Sequence, residues 1–295
     1  MSLIAPETLL ARLDDPDLRL ADVRWWLADR GKGRRDYDAA HIPGAVFVDV
    51  DSDLVGPSGP GRHPLPSPAA FARRMAELGI DDGSEVVAYD DAGGTIAARL
   101  WWMLDALGHP QVHVLDGGIG AWLAIGGPVT AEVTAYPVGR LRLGDRWPAT
   151  ADRWPGTIDR DGLAARLGTV AVIDARAHER YRGDLEPVDA APGHIPTAIS
   201  LPAGGNLGPD GSFLDPAALA ARFAGLGAGT GAVADGERDV VTYCGSGVTA
   251  CHNALAMRIA GLPDPLLYPG SYGDWVGTGM PIATGDEPGV RPSGG

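Results

Sequence analysis

The sequence repeats itself at one long spacing, and that repeat limits its architecture before any single residue is considered. Leu20-Ala-Asp-Val-Arg24 has a counterpart in Val172-Ile-Asp-Ala-Arg176, and His41-Ile-Pro-Gly-Ala45 in His194-Ile-Pro-Thr-Ala198. Glu85-Val-Val-Ala-Tyr89 matches Asp239-Val-Val-Thr-Tyr243, Gly108 matches Gly261, and Gly117-Gly-Ile-Gly-Ala-Trp122 matches Gly270-Ser-Tyr-Gly-Asp-Trp275. The offsets are 152, 153, 154, 153 and 153 residues, in order along the chain. That period is too long for a solenoid and implies two copies of one domain. A chain of 295 residues is long enough to give each copy its own core.

Within the first copy, Leu18–Val23, Val46–Val50, Val86–Tyr89 and Val112–Leu115 read as strands. Pro68–Gly79 and Thr95–Leu107 read as helices. Short β-branched runs separated by helical stretches imply parallel pairing, with helices on both faces of the sheet. The expected domains are residues 1–135 and 156–285, with a linker at 136–155 that contains Pro137, Pro148 and Pro155, and a loose Gly/Pro/Ser-rich tail at 286–295. Trp147 and Trp154 are expected to pin the linker.

The chemistry concentrates after the last strong strand, in Tyr243-Cys244-Gly-Ser-Gly-Val-Thr249. A strand, a Gly-rich loop and a helix start aim several backbone N–H groups at one point. Negative charge on a sulfur held there is favoured, which makes Cys244 a candidate nucleophile. The plain structural alternative is a small buried cysteine that ends a core strand. Cys251, two turns along the same helix, reads as a core residue. The first copy carries Asp90 where the second carries Cys244, with Gly93 and Thr95 opposite Gly247 and Thr249. Only the second copy is expected to turn over.

This loop resembles the active loop of two-domain rhodanese-type sulfurtransferases, in particular their mercaptopyruvate branch. The thiosulfate branch usually has basic residues where Gly245 and Ser246 stand. The resemblance implies an α/β fold of two tandem rhodanese-like domains, each a parallel five-stranded sheet flanked by helices. It implies sulfur transfer through a persulfide on Cys244, with Gly245, Gly247, Val248 and Thr249 lining the substrate site. It also implies a carboxylate-binding arginine in Asp174-Ala-Arg176…Arg180-Tyr181, here Arg180. The family's second arginine, in a Pro-Glu-Pro-Arg run, is missing from Leu185-Glu-Pro-Val188, and Arg182 is a candidate replacement. A Ser246–His63–Asp51 relay, with His63 and Asp51 from the first domain, is implied as well. His41 and His194 occur in both copies, including the one without a thiol, and read as turn residues.

A cysteine-based phosphatase requires an arginine six residues after the cysteine to clamp phosphoryl oxygens, and that position is Ala250. Sulfur transfer needs only a smaller cradle and no metal or cofactor. Thiosulfate, a dianion, would be better served by cations in the loop; mercaptopyruvate carries one charge remote from its sulfur. A non-enzymatic binding module of the same fold is the competing class. The net charge of −14 argues against nucleic acid and membrane surfaces as partners. Acceptors are expected to be cyanide or a thiol, thioredoxin among them. Two cysteines roughly 10 Å apart along one helix cannot bridge, which fits a reducing compartment. With no basic leader and no long apolar run, the cytoplasm is the expected location.

Overall fold

Among the described residues two sheets form, one in each half of the sequence, and every strand pair in both is parallel. The computed structural model describes residues 2–142, 153–225 and 240–292. Asp239, Trp147 and Pro148 lie outside the described residues.

The first unit comprises Met1–Pro57, Leu65–Pro155 and Leu207–Phe213. It runs β1 (Leu3–Ile4), α1 (Pro6–Leu10), β2 (Leu18–Asp22), α2 (Lys32–Ala39), β3 (Ala45–Phe47), α3 (Val50–Asp53), α4 (Pro68–Glu77), β4 (Glu85–Tyr89), α5 (Ala97–Leu107), β5 (Val112–Leu115) and α6 (Gly118–Ala124). Its strands are ordered β1-β5-β4-β2-β3. Val86 to Tyr89 are all buried, as expected for a central strand covered on both faces. Helix α4 starts on Ser67, whose Oγ accepts from Ala70 N, with Pro68 in its first turn. Val50, read from sequence as a strand end, instead opens α3, because the Asp49 carboxylate caps that turn through Asp51 N at 2.8 Å.

The second unit comprises Ser58–Pro64, Gly156–Asn206 and Leu214–Gly295. It contains α7 (Arg160–Arg166), β6 (Ala171–Asp174), α8 (His178–Arg182), β7 (Ala198–Ser200), α9 (Pro216–Ala224), β8 (Val240–Tyr243), α10 (Ala250–Ile259), β9 (Leu266–Leu267) and α11 (Ser271–Gly277). Among the described residues its order is β7-β6-β8-β9, four strands rather than the expected five. The place of β1 is taken by a single parallel bridge from Thr157 to Leu267. Pro155 has no N–H to donate, and Gly156 has φ +69°, outside strand geometry, so the ladder cannot extend backwards.

The same hydrogen bonds recur in both units. Arg24 Nη2 donates to Asp22 at 2.6 Å and to the Ala40 carbonyl at 2.7 Å; Arg176 Nη2 donates to Asp174 at 2.7 Å and to the Gly193 carbonyl at 2.6 Å. The Tyr89 hydroxyl accepts from Ile42 N, and the Tyr243 hydroxyl from Ile195 N, each at 3.2 Å. His41 stacks on Tyr37 and pairs with its carbonyl through Nδ1; His194 does the same with Tyr181. Trp122 and Trp275 are fully buried and donate to the carbonyls of Pro128 and Pro281. These residues therefore hold turns and cores.

Part of the stretch read as a linker lies along the first unit. Tyr136 donates to the Gly44 carbonyl at 2.9 Å, and Trp154 donates to Pro66 O at 2.7 Å beside Phe71 and Trp102. In the stretch read as a tail, Pro288 O accepts from Thr197 N, and Arg291 donates to Ala165 O. Among the described residues, no helix is long and apolar enough to cross a membrane.

Candidate active site

Strand β8, central in the second sheet, delivers Cys244 to the sheet's carboxyl end, where α10 begins six residues later. Between them the chain turns tightly. Gly247 has φ +80°, and a Cβ there would stand 2.5 Å from Pro269 O, so no side chain fits. This turn brings Gly247 N to 3.1 Å from Cys244 Sγ, donating to the sulfur. The first turn of α11 holds the loop from the other side. Ser271 Oγ accepts from Cys244 N, while Tyr272 N and Gly273 N donate to the carbonyls of Cys244 and Gly245. Cys244, Gly245, Ser246, Gly247 and Val248 are buried, and Thr249 is half-buried. Cys251 is buried too, but its thiol is directed at the Gly247 carbonyl at 3.5 Å.

Beside the loop runs a chain of alternating charges. Asp174 pairs with Arg176 (2.7 Å), Arg176 with Glu186 (3.2 Å), Glu186 with Arg180 (2.7 Å) and Arg180 with Asp189 (2.8 Å). Asp189 then pairs with Arg62. One Asp189 oxygen faces each guanidinium. Arg62 and Arg180 both flank the loop: a Cβ on Gly245 would meet Arg62 Nη2 at 2.7 Å and the Arg180 nitrogens at 3.6 Å. Arg62 Nε is buried with no hydrogen-bond partner among the described residues.

Arg180, the arginine to which the resemblance points, lies beside the loop with two carboxylates already on it. Arg182 does not replace the missing arginine of 188; it pairs with Asp184 and Asp286 on an exposed edge. The second cation is Arg62, which sequence reading passed over, along with Asp189 and Glu186. Its position immediately before His63 was the only signal available, because nothing in the local charge pattern marks it.

Burial opposes charge on Glu186, but the Arg180 guanidinium and the amides of Asp189 and Val188 outweigh it. They hold its carboxyl below the usual range. Burial pushes the Tyr272 phenol up to about 12, partly offset by Arg176, which lies 3.8 Å over its ring. His63 is buried and belongs to the second unit, although its sequence position is in the first half. Asp51 belongs to the first unit, where its carboxylate accepts from Trp25 Nε1 at 2.9 Å and Arg30 at 3.2 Å.

In the first unit the corresponding cradle is filled. The Asp90 carboxylate accepts from the backbone N–H groups of Ala92, Gly94, Ile96 and Ala97, at 2.7–2.9 Å. A loop of this shape therefore gathers donors around one anion, and in this unit the anion is its own side chain.

The rhodanese-like domain model matches residues 5–125 and again 159–278. The chain belongs to the rhodanese-like family. It is 44% identical over 293 residues to a probable 3-mercaptopyruvate sulfurtransferase of Pseudomonas aeruginosa, covering 96% of this chain and 98% of that one. It is 39% identical to a putative thiosulfate sulfurtransferase, SseB, of Mycobacterium tuberculosis, over 88% of each chain. Among solved structures, SseA of Escherichia coli, described as a 3-mercaptopyruvate sulfotransferase with the rhodanese fold, superposes with a TM-score of 0.77 at 29% identity. That match covers 92% of this chain and 99% of SseA. Relatives spanning nearly the whole chain are thus named for both sulfur donors.

Proposed function

We propose that this chain is a sulfurtransferase that takes sulfur from 3-mercaptopyruvate onto Cys244 and passes it to cyanide or a thiol. The observation that carries this is the pairing of a loop-held sulfur with two guanidinium groups, Arg180 and Arg62, at Gly245. Cys244 thiolate attacks the donor sulfur and forms an S–S bond. The donor's C–S bond breaks and its electron pair leaves on carbon as the enolate of pyruvate, which takes up one proton. The acceptor then attacks the outer sulfur of the persulfide and releases Cys244 as thiolate. The loop amide of Gly247 stabilises charge on sulfur in both steps. Val248 and Thr249, which lead into α10, line the donor site with Gly245 and Gly247.

Arg180 and Arg62 hold the donor carboxylate, each through a charge-assisted hydrogen bond. Ser246, with His63 of the same unit, serves the carbonyl and the proton of the departing enolate. A reduced thioredoxin-like dithiol is a fitting acceptor and the cytoplasm a fitting location, because the mechanism requires free thiols.

One observation favours thiosulfate as the donor instead. Arg62 Nη2 occupies the space into which a side chain at 245 would grow, so a cation stands at the loop despite its neutral sequence. Steady-state kinetics with both donors separate the two readings. The expected result is a higher kcat/KM for 3-mercaptopyruvate, lowered about 10- to 100-fold in Arg180→Ala, since roughly 1.4 kcal/mol is tenfold. A higher value for thiosulfate in the unmodified protein would sink the assignment.

A further inference from the structure

We infer that Asp189 is the residue that sets donor preference, by cancelling one positive charge at the site so that a monoanionic donor is accepted and a dianionic one is disfavoured. This rests on the reading of Cys244 as the sulfur-carrying thiol.

Asp189 is buried to 1% side-chain exposure, yet it lies on neither a strand nor a helix and contributes nothing to the apolar core. Its two oxygens are divided between Arg180 and Arg62, one to each. That is the arrangement a donor carboxylate would need from the same pair. Three arginines (62, 176 and 180) face three carboxylates (174, 186 and 189) in the cluster, so its formal charge is zero before any donor binds. Two of the three carboxylates have other duties. Asp174 accepts from Tyr243 and from Arg176 N within the sheet, and Glu186 accepts from the amides of Val188 and Asp189. Among the described residues the hydrogen bonds of the Asp189 carboxylate go to the two arginines, and its charge also reaches the neighbouring Tyr272 phenol.

Its location gives that charge reach. A Cβ on Gly273 would meet Asp189 Oδ1 at 3.1 Å and the Gly245 carbonyl at 2.9 Å, so the carboxylate lies against the loop that holds the thiol. A monocarboxylate donor brings the neutral cluster to −1, whereas thiosulfate brings it to −2. In a buried setting each extra unit of like charge is costly, and salt screens it weakly. Arg62 therefore offers geometry to both donors, and Asp189 withholds the surplus charge that a dianion requires.

The test compares the unmodified chain with Asp189→Asn, which keeps the shape and removes the charge, and with Asp189→Glu, which keeps the charge. Persulfide formation on Cys244 is followed in single turnovers by intact mass, with 3-mercaptopyruvate and with thiosulfate. The ratio of thiosulfate to mercaptopyruvate specificity is expected to rise about tenfold or more in Asp189→Asn. In Asp189→Glu it should stay within about threefold of the unmodified chain. A ratio unchanged in Asp189→Asn, or both donors falling together, overturns the inference and leaves the sulfurtransferase reading standing. If the unmodified chain gains sulfur from neither donor, that reading fails and this inference with it. A second measurement needs no variant: sulfate should compete with mercaptopyruvate at least about tenfold more weakly than pyruvate does. Equal competition would also overturn the proposal.

Discussion

Two cysteines of nearly equal burial are set apart by which backbone group of Gly247 each addresses. Cys244 Sγ receives the N–H of Gly247, while Cys251 donates to the carbonyl of the same residue. The first arrangement sets a backbone donor against the sulfur; the second spends the thiol as a donor. Cys244→Ser should therefore abolish persulfide formation from every donor, and Cys251→Ser should keep most of it, both read as a one-sulfur mass gain. Turnover by the Cys244 variant would remove the mechanism. Most of this difference was legible in the sequence, because glycines and a helix start after a strand predict where amides converge. Arg62 was not legible. Its relation to Arg180 exists only because both meet one aspartate, and no local pattern encodes a partner more than a hundred residues away.

The segment after α8 is a short connection that behaves as a structural element because of one side chain. Glu186 folds back to accept from the amides of Val188 and Asp189 while Arg180 and Arg176 donate to it. Its folded-state acidity is raised, that is, its pKa is lowered, so the contribution is present above the unfolded value of about 4.3. It is lost as pH falls through the folded value. Thermal melts from pH 7 to pH 3 should show that loss in the unmodified chain. In Glu186→Gln the acid limb should be shallower, and the stability at pH 7 should be lower by about 1–3 kcal/mol. Identical acid limbs would contradict the assignment. At this scale the strands and the helices α4 and α5 follow from periodicity to within a few residues. The exceptions have physical causes: Asp49 caps a turn where Val50 looked extended, and Gly156 adopts a positive φ where a fifth strand was expected.

At the scale of the whole chain, the repeat spacing exposed two equivalent units, and the paired hydrogen bonds of Arg24 and Arg176 bear out the equivalence. What spacing could not convey is how fully the first cradle is spent. Asp90 takes four amides, and a cysteine in its place has one sulfur to offer them. Asp90→Cys should cost about 1–3 kcal/mol for the donors left unsatisfied. In a Cys244→Ser background it should gain no sulfur from either donor. A persulfide on the introduced thiol would show that the loop alone suffices. The units also trade strips of chain: Ser58–Pro64 from the first half is built into the second unit, and Leu207–Phe213 from the second half into the first. Arg62 and His63 travel on the first of these strips. A chain cut back to the half that carries Cys244 would lose both residues with the half it discards.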